Sequence, residues 1–78
     1  MTAPDPESKI GRDVARLRGD LAATRLIDDL GHDYVGLEAP RPFQLGYIQA
    51  RREFRYRATL GDVPLETLLG WVLSPQEA

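Results

Sequence analysis

The side chains best suited to bind a metal or transfer a proton form a small cluster near the middle of the chain. Asp29, His32 and Asp33 are spaced i, i+3 and i+4, so they would converge if one helix continued through them. Gly31 is the expected C-cap of that helix, which predicts instead that His32 and Asp33 leave the helix axis and stay solvated. We therefore expect no metal and no cofactor at this cluster.

Two of these acidic residues suggest a different role. Asp28 and Asp29 fall in the last turn of the predicted helix, where the helix dipole disfavours anions. A cationic patch on another chain would offset that cost. We therefore expect Asp28 and Asp29 to lie at the rim of a protein interface.

A second group of candidate residues is rich in arginine and interleaved with aromatic side chains. Arg51, Arg55 and Arg57 would share one face of an extended strand, where phosphate could bind, so nucleic acid is an alternative partner. Glu53 lies among these arginines, and a solvated strand face with paired charges explains the same pattern. The sequence contains no known nucleic-acid reader motif.

No catalytic set is apparent in the sequence. The chain has one His and no Cys, and it carries neither a Ser-His-Asp arrangement nor a glycine-rich phosphate loop. These observations predict a protein that is not an enzyme and that acts by binding another macromolecule.

Composition limits how much structure can support such a role. The chain has 78 residues, of which 42% are hydrophobic and 28% charged, with a formal net charge of -2. A single small domain with a thin core is expected, and without disulfides a partner or a second copy would supply added stability. No apolar run reaches the roughly 20 residues of a membrane span, so we expect a cytoplasmic protein without a membrane partner.

The first predicted element is a helix from residue 6 to residue 30, after a disordered tail over residues 1–5. Its apolar residues form two stripes that point in different directions, since a helix advances about 100° per residue. The first stripe consists of Ile10, Val14, Leu17 and Leu21, and the second of Ala23, Leu26, Ile27 and Leu30. Either one continuous helix packs against two surfaces, or the helix breaks near Gly19.

Residues 47–60 alternate between apolar and polar, which favours a half-buried strand with Phe54 on its core face. The alternative is a helix with Phe43, Tyr47, Ala50, Phe54 and Ala58 on one face. The prolines of residues 39–42 predict an extended connector before it. A short helix over residues 64–73 buries Leu65, Leu68, Leu69 and Val72, and residues 75–78 should fray.

The predicted fold class is therefore α+β: a long N-terminal helix, a β-hairpin or small antiparallel meander, and a short C-terminal helix, in one domain over residues 6–74. This order, with residues 51–59 (RREFRYRAT) and the helix after them, resembles the small head-to-tail joining proteins of lambdoid phages. The resemblance implies a structural role in a ring-like assembly, which is a second alternative.

The main functional prediction is self-association as a homo-oligomer. The second stripe of the long helix would cover the hairpin and the C-terminal helix, which leaves the stripe of Ile10, Val14, Leu17 and Leu21 without a surface to pack on. Its spacing is that of a coiled-coil seam. We therefore expect this stripe to be the protein interface.

Overall fold

The computed structural model describes residues 3–74, and the frayed end predicted over residues 75–78 lies outside them. Within these residues the elements are α1 (Lys9–Ala22), β1 (Arg25–Ile27), β2 (Asp33–Val35), a 3-10 turn (Gly36–Glu38), α2 (Arg41–Arg55), α3 (Arg57–Leu60) and α4 (Leu65–Leu73). The two strands form one antiparallel sheet. The α+β class is confirmed, with its long N-terminal helix, hairpin and short C-terminal helix. The residues that form the hairpin differ from the predicted ones.

The core lies where α1, α2, α3 and α4 meet. Each of the longer helices turns an amphipathic face inward, since buried residues recur every three or four positions along it. The buried apolar side chains are Val14, Leu17, Leu21, Ile48, Tyr56, Leu60, Leu68, Leu69 and Val72. The short C-terminal helix is confirmed, and three of the four residues predicted for its buried face, Leu68, Leu69 and Val72, are buried, while Leu65 is partly buried.

The chain before α1 is folded against the helix. The Ser8 hydroxyl caps α1 by accepting the Gly11 N–H at 3.0 Å, and it donates to the Asp5 carbonyl at 2.6 Å. A Cβ atom on Gly11 would overlap that same carbonyl oxygen, so only glycine lets the segment pass this close. Ala3 and Pro4 of this segment are half-buried.

α1 ends at Ala22, and the prediction of a helix to Leu30 is wrong. The Thr24 hydroxyl donates to the Asp20 carbonyl at 2.7 Å, and the chain then enters β1. The physical reason is that one straight helix cannot bury two divergent stripes against one small core. As a strand, the segment returns Leu26 to the core and turns Ile27 to solvent.

The turn between β1 and β2 explains Gly31. The Gly31 N–H donates to the Asp28 carbonyl at 3.0 Å, and Gly31 has a φ of 85°. A type I turn followed by a residue in the left-handed region is a common hairpin connection. Gly31 therefore completes a hairpin turn, and it is not the cap of a helix.

Residues 47–60 are helical, so the predicted strand is wrong and the hairpin lies earlier in the chain. α2 buries Gln44, Ile48 and Arg52, which are four residues apart. The Gln44 amide donates to the carbonyls of the 3-10 turn, and the Arg52 guanidinium donates to the Val63 carbonyl. Tertiary hydrogen bonds thus allow polar side chains to occupy the inner face of this helix.

The predicted extended connector over residues 39–42 is also partly wrong. α2 begins at Arg41, and Pro42 occupies its first turn. The missing N–H of proline is tolerated there because the first N–H groups of a helix have no partner within the helix.

Candidate interaction surface

The predicted interface on α1 is largely internal. Leu17 and Leu21 are fully buried and Val14 is 8% exposed, all within the core of the single chain. Only Ile10, at 37% exposed, reaches solvent. The premise that this stripe is surplus is therefore wrong. Residues 41–60 form the helices α2 and α3, and these pack on α1 together with α4 and cover the stripe.

Asp28 is an internal support of the hairpin turn. Its Oδ1 accepts the backbone N–H of Leu30 at 2.9 Å and that of His32 at 2.8 Å. Its Oδ2 lies 2.8 Å from His32 Nδ1 and 3.4 Å from the Tyr34 hydroxyl. Asp29, in contrast, is exposed at the tip of the turn. Of the two predicted rim residues, only Asp29 is free to meet a partner.

These hydrogen bonds change the acidity of Asp28. Desolvation alone would raise the pKa of its carboxyl group, but the backbone and side-chain hydrogen bonds from His32 and the N–H of Leu30 outweigh it. The pKa of Asp28 is therefore lowered, and the ionised carboxylate holds the turn.

The structure divides the predicted arginine group. Arg51 pairs with Asp20 at 3.3 Å, and the Arg55 guanidinium lies 6.0 Å from the centre of the Tyr56 ring. Arg57 is exposed and lies beyond the break that separates α2 from α3. The three arginines do not form the single face that a strand would have given them, because these residues are helical.

A polar junction that the sequence did not predict ties α1 to α2. The Tyr56 hydroxyl donates to Asp20 Oδ2 at 2.8 Å, and the same oxygen accepts from Arg51. Desolvation by burial and the bond to Asp20 together raise the pKa of Tyr56 to about 12. For Asp20, desolvation is outweighed by the hydrogen bonds from Tyr56 and Arg51, so its pKa is lowered. This junction positions α1 against α2, and its Asp20 and Arg51 side chains remain partly exposed.

The exposed apolar side chains on the hairpin define a different surface. The term hairpin surface is used below for the residues of the two strands that point away from the core, together with Leu30 at the turn. The strand residues are Arg25, Ile27, Asp33 and Val35. Ile27 is 66% exposed, Leu30 83% and Val35 47%. Leu26 and Tyr34 pair across the strands and face the opposite side, where Leu26 packs against the core.

The strand edges also carry unused backbone groups. The Gly36 N–H donates to the Thr24 carbonyl at 2.8 Å, and the Asp28 N–H donates to the His32 carbonyl at 3.0 Å. Hydrogen-bonded pairs alternate in an antiparallel ladder, so the backbone groups of Arg25 and Ile27 point away from β2. The outer edge of β1 can therefore accept another strand.

The signal for this hairpin is present in the sequence. Asp28 and Gly31 are an aspartate that can hold a turn and a glycine that can adopt a positive φ, between two apolar segments. The same glycine also fits a helix C-cap, and the apolar residues before it continue a helical spacing. The two interpretations differ only in where the preceding helix ends.

Comparison with protein-family models, with curated proteins and with solved structures finds no match for this chain. Across residues 3–74, no three His, Asp or Glu side chains converge as a metal site would require. Among the helices of this same stretch, none has the length and apolar character needed to cross a membrane.

Proposed function

We propose that this chain is a non-enzymatic assembly module that binds a second copy of itself through the hairpin surface and the outer edge of β1. The observation that carries the proposal is the exposure of Ile27, Leu30 and Val35 on one short hairpin. Single exposed apolar residues are ordinary on protein surfaces, but three on one small projecting element are typical of a binding site.

The hairpin also needs support. Its strands have three residues each, and they pack mainly against each other. Two-stranded hairpins are at best marginally stable in water, and a third or fourth strand stabilises them. A second copy that adds its own hairpin would supply those strands.

The backbone geometry of β1 is complementary to itself. A two-fold axis midway between the Leu26 residues of two copies places Arg25 of each copy opposite Ile27 of the other. The outward N–H and C=O groups of these two residues then bond to each other across the axis. The result is a four-stranded sheet with the two β2 strands at its edges, and no open edge of β1 remains for further growth.

Charge does not oppose this arrangement. Arg25 is the only charged residue on β1, and its guanidinium lies 2.8 Å from the Asp33 carboxylate of the same hairpin. In the two-fold register each Arg25 lies opposite an isoleucine, so no like charges face each other directly. The aliphatic stem of Arg25 can then cover Ile27 of the second copy.

The edge of β1 is favoured over that of β2 because the outward side chains of β1 are more exposed. Ile27 is more exposed than Val35, and the side chain of Arg25 is 75% exposed against 38% for Asp33. Both outward positions of β1 thus leave more surface for a partner to cover.

Sedimentation equilibrium over a wide concentration range tests the proposal. We expect a mass that rises toward twice the 8.7 kDa of the monomer. Ile27→Thr should weaken the association about tenfold or more, because two partly exposed isoleucines would no longer be buried. Phe54→Thr is the matched control: Phe54 is 81% exposed on α2 and is not part of the hairpin surface, so its loss should leave the mass unchanged.

Disulfide trapping tests the register in which the two β1 strands pair. The chain has no native cysteine, so no other thiol can form a disulfide. A mixture of Arg25→Cys and Ile27→Cys chains should form a mixed disulfide, since the proposed pair has Cα atoms about 5.5 Å apart. Ile27→Cys alone should not crosslink, because its two copies would be about 7 to 8 Å apart. A monomer at every concentration refutes self-association. A dimer in which the mixed pair crosslinks no faster than Phe54→Cys refutes the β1 edge.

A further inference from the structure

A cleft lined by no residue of the hairpin has the features of a small-molecule site. It lies between the segment before α1, α1 itself and α4, and its volume is about 160 Å³. Most of its lining is apolar, with Pro4, Pro6, Val14, Ala15 and Trp71 as its walls. A cavity of about 150 Å³ is large enough for a benzene ring.

The wall formed by the N-terminal segment is built into the fold. The Ser8 N–H donates to the Asp5 carbonyl at 3.0 Å, and the Ser8 hydroxyl donates to the same oxygen. Gly11 lines the cleft and allows this close approach, because it has no Cβ atom. The cleft is therefore preformed, which reduces the ordering that a ligand would have to bring about.

Arg18 is the one charged side chain that lines the cleft within the described residues. Its Nη1 donates to the Val72 carbonyl at 2.6 Å near the C-terminal end of α4, which holds the guanidinium in place. Among residues 3–74, no carboxylate lies within ion-pair distance of Arg18. The remaining N–H donors are thus available to an anion at the edge of an apolar space.

We propose that this cleft binds a small monocarboxylate with an apolar body of about six carbons. The apolar walls would take the ring or branched chain, and the carboxylate would meet Nε and Nη2 of Arg18. A guanidinium donates two parallel hydrogen bonds to a carboxylate, which a neutral hydroxyl group cannot accept in the same way. No acidic side chain lines the described part of the cleft to oppose the anion. This proposal is independent of the hairpin surface.

Trp71 is the only tryptophan of the chain and lines the cleft, so its fluorescence reports on occupancy. The probes are sodium benzoate and benzyl alcohol, which share a ring and differ in charge. We expect a saturable change with benzoate and an affinity about tenfold higher than that for benzyl alcohol, in line with a charge-assisted pair. N-acetyl-tryptophanamide at the same benzoate concentrations corrects for collisional quenching.

Two variants test separately the contributions of the Arg18 charge and of the apolar cleft to binding. Arg18→Gln keeps a donor for the Val72 carbonyl and should reduce the benzoate affinity to that of benzyl alcohol. Ala15→Leu should fill the cleft and remove saturable binding of both probes, while circular dichroism confirms that each variant is folded. Equal affinities for benzoate and benzyl alcohol in the wild-type chain would overturn the assignment of Arg18. Unchanged benzoate binding by a folded Ala15→Leu variant would overturn the site itself.

Discussion

The junction of Tyr56 and Asp20 predicts a specific loss of stability in alkaline solution. The pKa of the Tyr56 hydroxyl is raised from 10.0 to about 12, first by burial and then by its hydrogen bond to Asp20. The folded state therefore holds this proton more tightly than the unfolded chain does. The stabilisation is complete below pH 10, and it is lost as the pH rises from about 10 to about 12. Two pKa units correspond to about 2.7 kcal/mol, a large share of the stability of a domain this small.

Urea unfolding followed by circular dichroism at a series of pH values measures this loss. Tyr56→Phe should lower the free energy of unfolding at pH 7 by about 1.5 to 3 kcal/mol, because Asp20 loses a hydrogen bond to a charged acceptor. The same variant should also lose most of the decline between pH 10 and 12, because the titrating group is gone. Tyr47→Phe is the control: its hydroxyl contacts the Thr24 hydroxyl at 3.1 Å and makes no hydrogen bond to the Asp20 carboxylate, so the alkaline decline should persist.

The reasoning is refuted if the wild-type chain and Tyr56→Phe lose stability equally over this interval. That result would mean that other groups produce the alkaline decline. It would also mean that the bond between Tyr56 and Asp20 does not hold α1 against α2 in solution.

Three further predictions concern the core and the hairpin turn. Leu17→Ala should lower the free energy of unfolding by about 2 to 5 kcal/mol because Leu17 is fully buried. Phe54→Ala should change it by about 0.5 kcal/mol or less because Phe54 is largely exposed. A larger loss for Phe54→Ala than for Leu17→Ala in urea unfolding would show that the helices are packed differently. Gly31→Ala should destabilise the chain by about 1 to 2 kcal/mol because Gly31 has a φ of 85°, and an equally stable variant would contradict the turn geometry. The lowered pKa of Asp28 means that its support of the turn is present above the ordinary carboxyl range and is lost on acidification through the lowered value. Asp28→Ala should therefore speed hydrogen exchange at the amide of Leu30 near neutral pH, and unchanged exchange would show that the carboxylate does not hold the turn.

The sequence predicted the elements whose apolar pattern is simple. In α1 the buried residues Leu17 and Leu21 follow helical spacing, and in α4 Leu68 and Leu69 do the same. In both helices periodicity locates the apolar stripe. For α4 that stripe was expected to be the inner face, whereas for α1 it was expected to be a protein interface and is buried instead. The α+β class followed from these helices and from a hairpin that was placed at the wrong residues.

The prediction failed in α2 because a charged residue is buried there and a large apolar residue is exposed. Arg52 is buried through bonds to the Gln49 side chain and the Val63 carbonyl, while Phe54 is largely exposed. A buried position every four residues, as at Ile48, Arg52 and Tyr56, is also every second member of an alternating pattern. When the residue midway between two buried positions is also apolar, as Ala50 and Phe54 are, the sequence of such a helix shows the same alternation as a strand. Only the tertiary partners of Arg52 distinguish the two.

The end of α1 decides which surface is left for a partner. If the helix continued to Leu30, the residues Ile27 and Leu30 would cover other elements, and the stripe containing Leu17 would be exposed. Because α1 stops at Ala22, Leu17 lies in the core and Ile27 and Leu30 lie in solvent. A sequence pattern counts apolar residues correctly but cannot say which of two stripes the rest of a small domain will cover, since that depends on long-range packing. The end of α1 at Ala22 thus buries one apolar surface and exposes another, on a hairpin whose β1 edge is open. For this reason self-association is still proposed, but through the hairpin and not through α1.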